Sequence, residues 1–259
     1  MTDLRHGTAT PNWYRAEDHF FTAISAQHEG FGRSVRAYVT GVETAALNLL
    51  SLHLPAKAPD AAADRGVAFM TGAGLPFSLA LPEDRASAYE AWAAGYGLTP
   101  SGITTAMTID PAKRQPRPGA VGVDLVVRAI DDLEVWSRPL AEAFGGGPEI
   151  SRQYSDRHHA ARHAGHRLVH LTGFVENEPV CSATLSMAGR IARLDDVGTL
   201  PARQGRGYGS RLVAHALQLA EMRGALACCL EASVDGTALY THAGFVELFR
   251  IMIFARDEA

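Results

Sequence analysis

The residues with most chemistry to offer run from Leu200 to Ser210, Leu-Pro-Ala-Arg-Gln-Gly-Arg-Gly-Tyr-Gly-Ser. Gly205, Gly207 and Gly209 alternate just ahead of a stripe with helical spacing: Leu212, Ala216, Leu219 and Ala220. Glycine admits left-handed backbone and puts no side chain between the chain and a ligand. A helix that follows leaves its first N–H groups unpaired and carries partial positive charge at that end. Loop and helix together make a socket for a phosphate or pyrophosphate. A nucleotide P-loop would need Gly-Lys-Ser/Thr, but Gly209 precedes Ser210 and Arg211. A dinucleotide fingerprint fits no better. Gly209 falls one place early for the third glycine, Pro201 breaks the strand ahead of the loop, and only 28 residues follow Glu231.

Acid–base groups flank the loop. Asp195 and Asp196 sit on the strand before it, where alternation predicts that their side chains face opposite sides, one toward a cleft. Glu231 ends the next strand, and Tyr240 offers a hydroxyl in a short helix beyond. Either a carboxylate serves as base or a water relay does. His158, His159, His163, His166 and His170 form a dense group. They lack the glutamate of a His-Glu-x-x-His zinc motif and are expected to be a polar helix face with its following loop, with substrate contact as the alternative and no metal. Cys228 and Cys229 lie in a buried-type strand and read as core.

The elements that must position these groups are legible in the second half. Val121 to Ile130 reads as a strand, Leu133 to Phe144 as a helix closed by glycines, and Glu149 to His163 as a second helix. Strands are predicted over Leu168–Val175 and Val180–Met187, joined by a hairpin turn, and over Ile191–Leu200. After the loop come a helix over Gly209–Arg223, a strand over Ala225–Leu230, a helix over Asp235–His242 and a strand over Phe245–Phe254. Pro111, Pro116, Pro118 and Gly119 mark a linker that splits the chain into 1–112 and 119–259.

This order and its motifs resemble the GNAT superfamily of acyl-CoA-dependent N-acyltransferases. The family's loop pattern, Gln/Arg-x-x-Gly-x-Gly/Ala, is met by Gln204, Gly207 and Gly209. Its Val-x-Thr-x-Pro strand end is met by Val197, Thr199 and Pro201, and its Tyr…Gly-Phe signature by Tyr240, Gly244 and Phe245. The resemblance covers 121–254 and implies acetyl-CoA as co-substrate. It implies that Val197, Gly198 and Thr199 bond the pantetheine arm. The backbone of Gln204, Gly205, Arg206, Gly207, Tyr208, Gly209 and Ser210 would hold the pyrophosphate. Tyr240 would be general acid to the CoA thiolate, with Asp196 or Glu231 as candidate base. The acceptor it implies is a small-molecule or protein amine, without further definition.

The first half is less patterned. Strands are predicted at Ser34–Val39, Ala46–Leu54, Pro76–Leu81 and Ile103–Ile109, and helices at Asp60–Thr71 and Glu83–Ala94. From Ala46 onward this is the β-α-β-α-β order that also ends the chain, so a decayed internal repeat is one reading. Pro55 to Pro59 stands where the second half has its glycine loop, so this copy would have lost the anion site. Trp13, Tyr14, His19, Phe20 and Phe21 either cap a core or touch substrate.

Composition narrows the class. A formal charge of −4 gives no basic footprint for nucleic acid. No stretch has the length of a membrane span, the polar start from Met1 to His6 lacks the apolar run of a signal peptide, and three cysteines make no disulfide framework, so a cytoplasmic setting is expected. The expected fold is α/β: a GNAT-like mixed sheet flanked by helices, preceded by a smaller α/β domain. The expected function is N-acetyl transfer from acetyl-CoA to an amine. The alternatives are a non-catalytic acyl-CoA-binding or sensing module and, more remotely, a dinucleotide-dependent oxidoreductase.

Overall fold

Alternating apolar segments from both halves assemble into one eleven-stranded sheet in the computed structural model, which describes residues 4–53, 56–114 and 124–256. The first half supplies α1 (Leu4–Ile24), β1 (Gln27–Phe31), β2 (Val35–Val39), β3 (Leu49–Leu52), α2 (Ala61–Gly72), β4 (Ser78–Pro82), α3 (Ala86–Gly95) and β5 (Thr99–Ile109). The second supplies β6 (Val126–Ile130), α4 (Leu133–Phe144), α5 (Gly147–His163), β7 (Val169–Val175), β8 (Glu178–Ala188) and β9 (Ile191–Thr199). It ends with α6 (Tyr208–Met222), β10 (Ala227–Ala232), α7 (Thr237–Ala243) and β11 (Val246–Ala255). The predicted linker begins as a short 3₁₀ turn at Pro111–Lys113; residues 115–119, and 121–123 of the first predicted strand of the second half, lie outside the described residues.

The strand order is β1-β2-β3-β4-β11-β5-β10-β9-β8-β7-β6. The two halves therefore interlock. β5 of the first half lies between β10 and β11, and β11 lies between β4 and β5. The antiparallel β5–β11 pair forms the centre, with the parallel pairs β3–β4 and β9–β10 placed equivalently on either side. β3-α2-β4-α3-β5 and β9-α6-β10-α7-β11 thus occupy related positions, the arrangement a tandem repeat would give. The division at 112 remains a proposal about the units of the chain, since the sheet runs through both.

Local signals explain the elements that position the site. Asp132 caps α4 by accepting from Glu134 and Val135 N–H, and Gly145 stops it with φ 72°. Glu176 and Asn177 both take positive φ to close the β7–β8 hairpin. α6 packs on one sheet face against Leu171, Ala183, Leu185 and Leu194. α1, α4 and α5 cover the other, where Ser182, Thr184 and Ser186 alternate with those apolar residues and are fully buried. Sequence reasoning missed α1 because Pro11 lies inside it. Its aromatics are core: Trp13 is fully buried and donates Nε1–H to Leu230 O at 2.9 Å. Among the described residues no helix is long and apolar enough to cross a membrane.

Candidate active site

A bulge in β9 creates the site. Thr184 pairs with Asp195 and Ser182 with Gly198, so Asp196 and Val197 together oppose Ala183. Asp196 takes φ 55°, the left-handed conformation that admits the extra residue. On its other side β9 pairs with β10 only from Ile191 to Arg193, against Ala227 to Cys229. Past that point the strands separate into a wedge with Val197–Thr199 on one side and Leu230–Ala232 on the other.

The bulge corrects the expectation that Asp195 and Asp196 face opposite ways. Both reach the α1–α5 side, because the extra residue breaks the alternation. Asp195 accepts from Arg193 Nε at 2.8 Å, and Asp196 Oδ1 accepts from the Tyr154 hydroxyl of α5 at 2.8 Å. Burial pushes Asp195 up to about 6, against the pull of Arg193. Burial and then the charge of Asp195 push Asp196 up to about 7, against the nearby Thr184 hydroxyl and the hydrogen bond from Tyr154. Asp196 Oδ2 has no hydrogen-bond partner among the described residues. Glu231 is committed elsewhere: its Oε1 accepts from Thr104 Oγ1 at 2.6 Å across the β10–β5 pair, and burial raises it.

The histidines divide. His159 and His163 are exposed, as a polar face would be, but His158 and His170 are buried. One donates to the other, with His158 Nδ1 and His170 Nε2 2.9 Å apart. His158 Nε2 lies 3.8 Å from Asp196 Oδ2, and Trp136 packs on both rings. Burial holds both well below the ordinary histidine range, His170 at about 3, so both are neutral at pH 7. The expectation of a polar helix face and loop fails for these two because Trp136 of α4 packs on both, His158 from α5 and His170 from β7. The cysteines are buried, as expected.

The glycine loop continues from the end of β9. Gly205 and Gly207 have φ 74° and 81°, and Gly207 is the N-cap of α6. The N–H groups of Tyr208 and Gly209, in the first turn, have no intrahelical acceptor. Gln204 ties the loop back to β9: its side chain donates to Thr199 O at 3.3 Å and its own N–H donates to Pro201 O. A side chain at Gly209 would meet Thr199 Oγ1 at 3.4 Å, so loop and strand lie close. Arg206 is exposed. These features suit a pyrophosphate at the loop with an extended arm running into the wedge. Tyr240 sits in α7, 7% exposed, edge-on to Phe245 at 5.9 Å. Its hydroxyl bonds no described residue, and burial, then Asp195, raise it above the usual tyrosine range, so it stays protonated.

Asp196 also lines a cavity of about 380 Å³ between α4, α5 and the first half. Leu140, Phe144, Ile150 and Tyr154 form its walls, and Thr44, Ala46 and Leu47 close it from the first half. Sequence reasoning missed these first-half residues. Their signal is Asn48, which is fully buried in an otherwise apolar run. Its Oδ1 accepts from Thr40 N–H and Oγ1, and its Nδ2 donates to Val42, Thr44 and Pro76 carbonyls. Asn48→Ala should therefore cost roughly 3 kcal/mol of stability, since several buried backbone groups lose their partner. Urea unfolding would check this; a loss below about 1 kcal/mol would mean that the segment relaxes without it.

The GNAT acetyltransferase family model matches residues 130–245. The glycine loop, the bulged part of β9 and Tyr240 all lie inside that span. No curated protein matches by sequence. Among solved structures, a GCN5-related N-acetyltransferase from Kribbella flavida is similar over 97% of this chain and 96% of its own, with TM-score 0.66 and 14% identity. A GCN5-related N-acetyltransferase from Sphaerobacter thermophilus is similar over 86% of this chain and 76% of its own, with TM-score 0.62 and 14% identity. A tandem GNAT protein from the clavulanic acid biosynthesis pathway is similar over 85% of this chain and 77% of its own, with TM-score 0.57 and 16% identity. At these identities the likeness is one of fold, and it spans both halves.

Proposed function

We propose that the chain is an N-acetyltransferase that moves acetyl from acetyl-CoA to an amine by direct attack. The observation that carries this reading is the β9 bulge, which brings one carboxylate, Asp196, to the junction of the wedge and a partly open cavity. Acetyl-CoA would lie with its pyrophosphate on the N–H groups of the 205–210 loop and its pantetheine arm along Val197–Thr199. Backbone N–H groups near the bulge would stabilise the oxyanion that forms on attack.

The acceptor arrives mostly as an ammonium ion. With a lysine-like pKa of about 10.4, roughly one molecule in 2,000 is neutral at pH 7, a deficit of about 4–5 kcal/mol. The Asp196 carboxylate takes the ammonium proton, and the neutral amine attacks the thioester carbon. The C–N bond forms and the C–S bond breaks. Tyr240 donates its proton to the departing thiolate and is restored by the second amine proton. Glu231 is the weaker base candidate, because it is held by Thr104 on β5.

Tyr240→Phe is expected to lower kcat about 10- to 100-fold while leaving acetyl-CoA affinity within about two-fold, since the hydroxyl acts only as sulfur leaves. Free-thiol release and calorimetric titration with acetyl-CoA measure the two quantities. Equal, near-zero thiol release from both proteins, with acetyl-CoA still bound, would instead identify a sensing module. Failure of the wild type to bind acetyl-CoA would remove the reading altogether.

A further inference from the structure

Resting on that acyl-transfer reading, we propose that the acceptor is a primary amine on a neutral, apolar body of about a dozen heavy atoms, selected in part by the first half of the chain. The size follows from the cavity. About 380 Å³ holds on the order of a dozen water-sized groups at ~30 Å³ each.

The chemistry follows from the lining. Leu140, Phe144, Ile150, Ala46 and Leu47 present apolar surface, and the polar groups around them are hydroxyls of serine, threonine and tyrosine. Among the described residues Asp196 is the one carboxylate on the wall, and no lysine or arginine lines the cavity. A single ammonium therefore finds a single partner. The second ammonium of a polyamine would be placed against leucine and phenylalanine without a counter-charge. The carboxylate of an amino acid would meet no cation and would be repelled by Asp196. Either unpaired charge would lose its water for nothing in return. A neutral hydrocarbon or aromatic body gains from the same surface.

The wall from the first half is built to stay in place. Asn48 holds the segment from Thr40 to Thr44, and Glu43 N–H donates to Gln153 Oε1 of α5 at 2.9 Å, joining that segment to the opposite wall. The expected entry is the α4–α5 joint, where Gly145 and Gly147 have φ 72° and 73° and Phe144 is 66% exposed. An interlocked first half that lacks a glycine loop of its own thus has a task, which is to close the acceptor pocket of the second.

The test uses the full chain loaded with CoA and three probes: phenethylamine, spermidine and lysine. Calorimetry measures binding, and thiol release with acetyl-CoA measures turnover. Phenethylamine is expected to bind, and to exceed spermidine and lysine in kcat/KM by about 100-fold or more. Leu47→Arg, which brings a cation into the wall, should weaken phenethylamine binding about 10-fold or more while acetyl-CoA binding stays unchanged. Binding of phenethylamine that is lost in Leu47→Arg, without turnover of any amine, would keep the pocket assignment and sink the acyl-transfer reading. Spermidine or lysine matching phenethylamine in binding or turnover would overturn the pocket assignment and leave acyl transfer standing. Failure of phenethylamine to bind would also overturn it, as would binding that Leu47→Arg leaves intact.

Discussion

Gly207→Glu is expected to reduce acetyl-CoA affinity by about 1,000-fold. Two effects add. Gly207 has φ 81°, a conformation that costs any other L-residue roughly 1–2 kcal/mol. The new carboxylate would stand at the N-cap of α6, where the pyrophosphate is expected, and like charges about 4–5 Å apart cost roughly 3–4 kcal/mol at an effective dielectric near 20. At about 1.4 kcal/mol per decade the sum is three orders of magnitude or more. Gly207→Ala carries only the backbone part and should lose about 10-fold. Calorimetric titration with acetyl-CoA separates the two. Similar losses in both variants would mean that the loop fails through its shape and that no anion sits there. Affinity close to wild type in the glutamate variant would place the cofactor elsewhere.

Most of the second half was legible because its signals are local. The Asp132 cap, the Gly145 stop, the Glu176–Asn177 turn and the apolar stripe of α6 each depend on a few neighbouring residues. The glycine loop and Tyr240 could be singled out for the same reason. Three features were not legible, and each depends on partners far away in the chain. α1 contains Pro11 and has little apolar patterning, yet Trp13 anchors it to Leu230 O, 217 residues away. His158 and His170 look polar in sequence and are buried because distant elements cover them, α4 with Trp136 and α1 with Phe20. The exchange of β5 and β11 between the halves leaves no mark on either strand, since a strand's alternation reports its faces and not its neighbours. The bulge at Asp196 is the most consequential of these. Period-two alternation assigned the two aspartates to opposite faces. A positive φ at a non-glycine residue, which no spacing announces, sends both toward α1 and α5.

That displacement makes Asp196 the proposed base, and its removal should be felt most. Asp196→Asn keeps the shape and the hydrogen bond from Tyr154 and removes the proton acceptor. The expected loss in kcat is about 100-fold or more at pH 7, the usual scale for a general base. The pH profile distinguishes this from a structural effect. With Asp196 raised to about 7, kcat/KM of the wild type should rise as the carboxylate ionises and level off above pH 7, because the ionised base takes its proton from the ammonium form. In the variant the acceptor must arrive already neutral, so the rate should keep rising toward the amine's own pKa of about 10. The two proteins should therefore differ most near pH 7 and converge in strong base. Asp195 lies beside Asp196 and titrates with it, so the wild-type inflection belongs to the pair. Its loss in Asp196→Asn, with Asp195 still present, would assign the base to Asp196. A variant profile parallel to the wild type at every pH would show that the proton leaves by another route. Glu231, bonded to Thr104 at the far edge of the wedge, would be the next residue to replace.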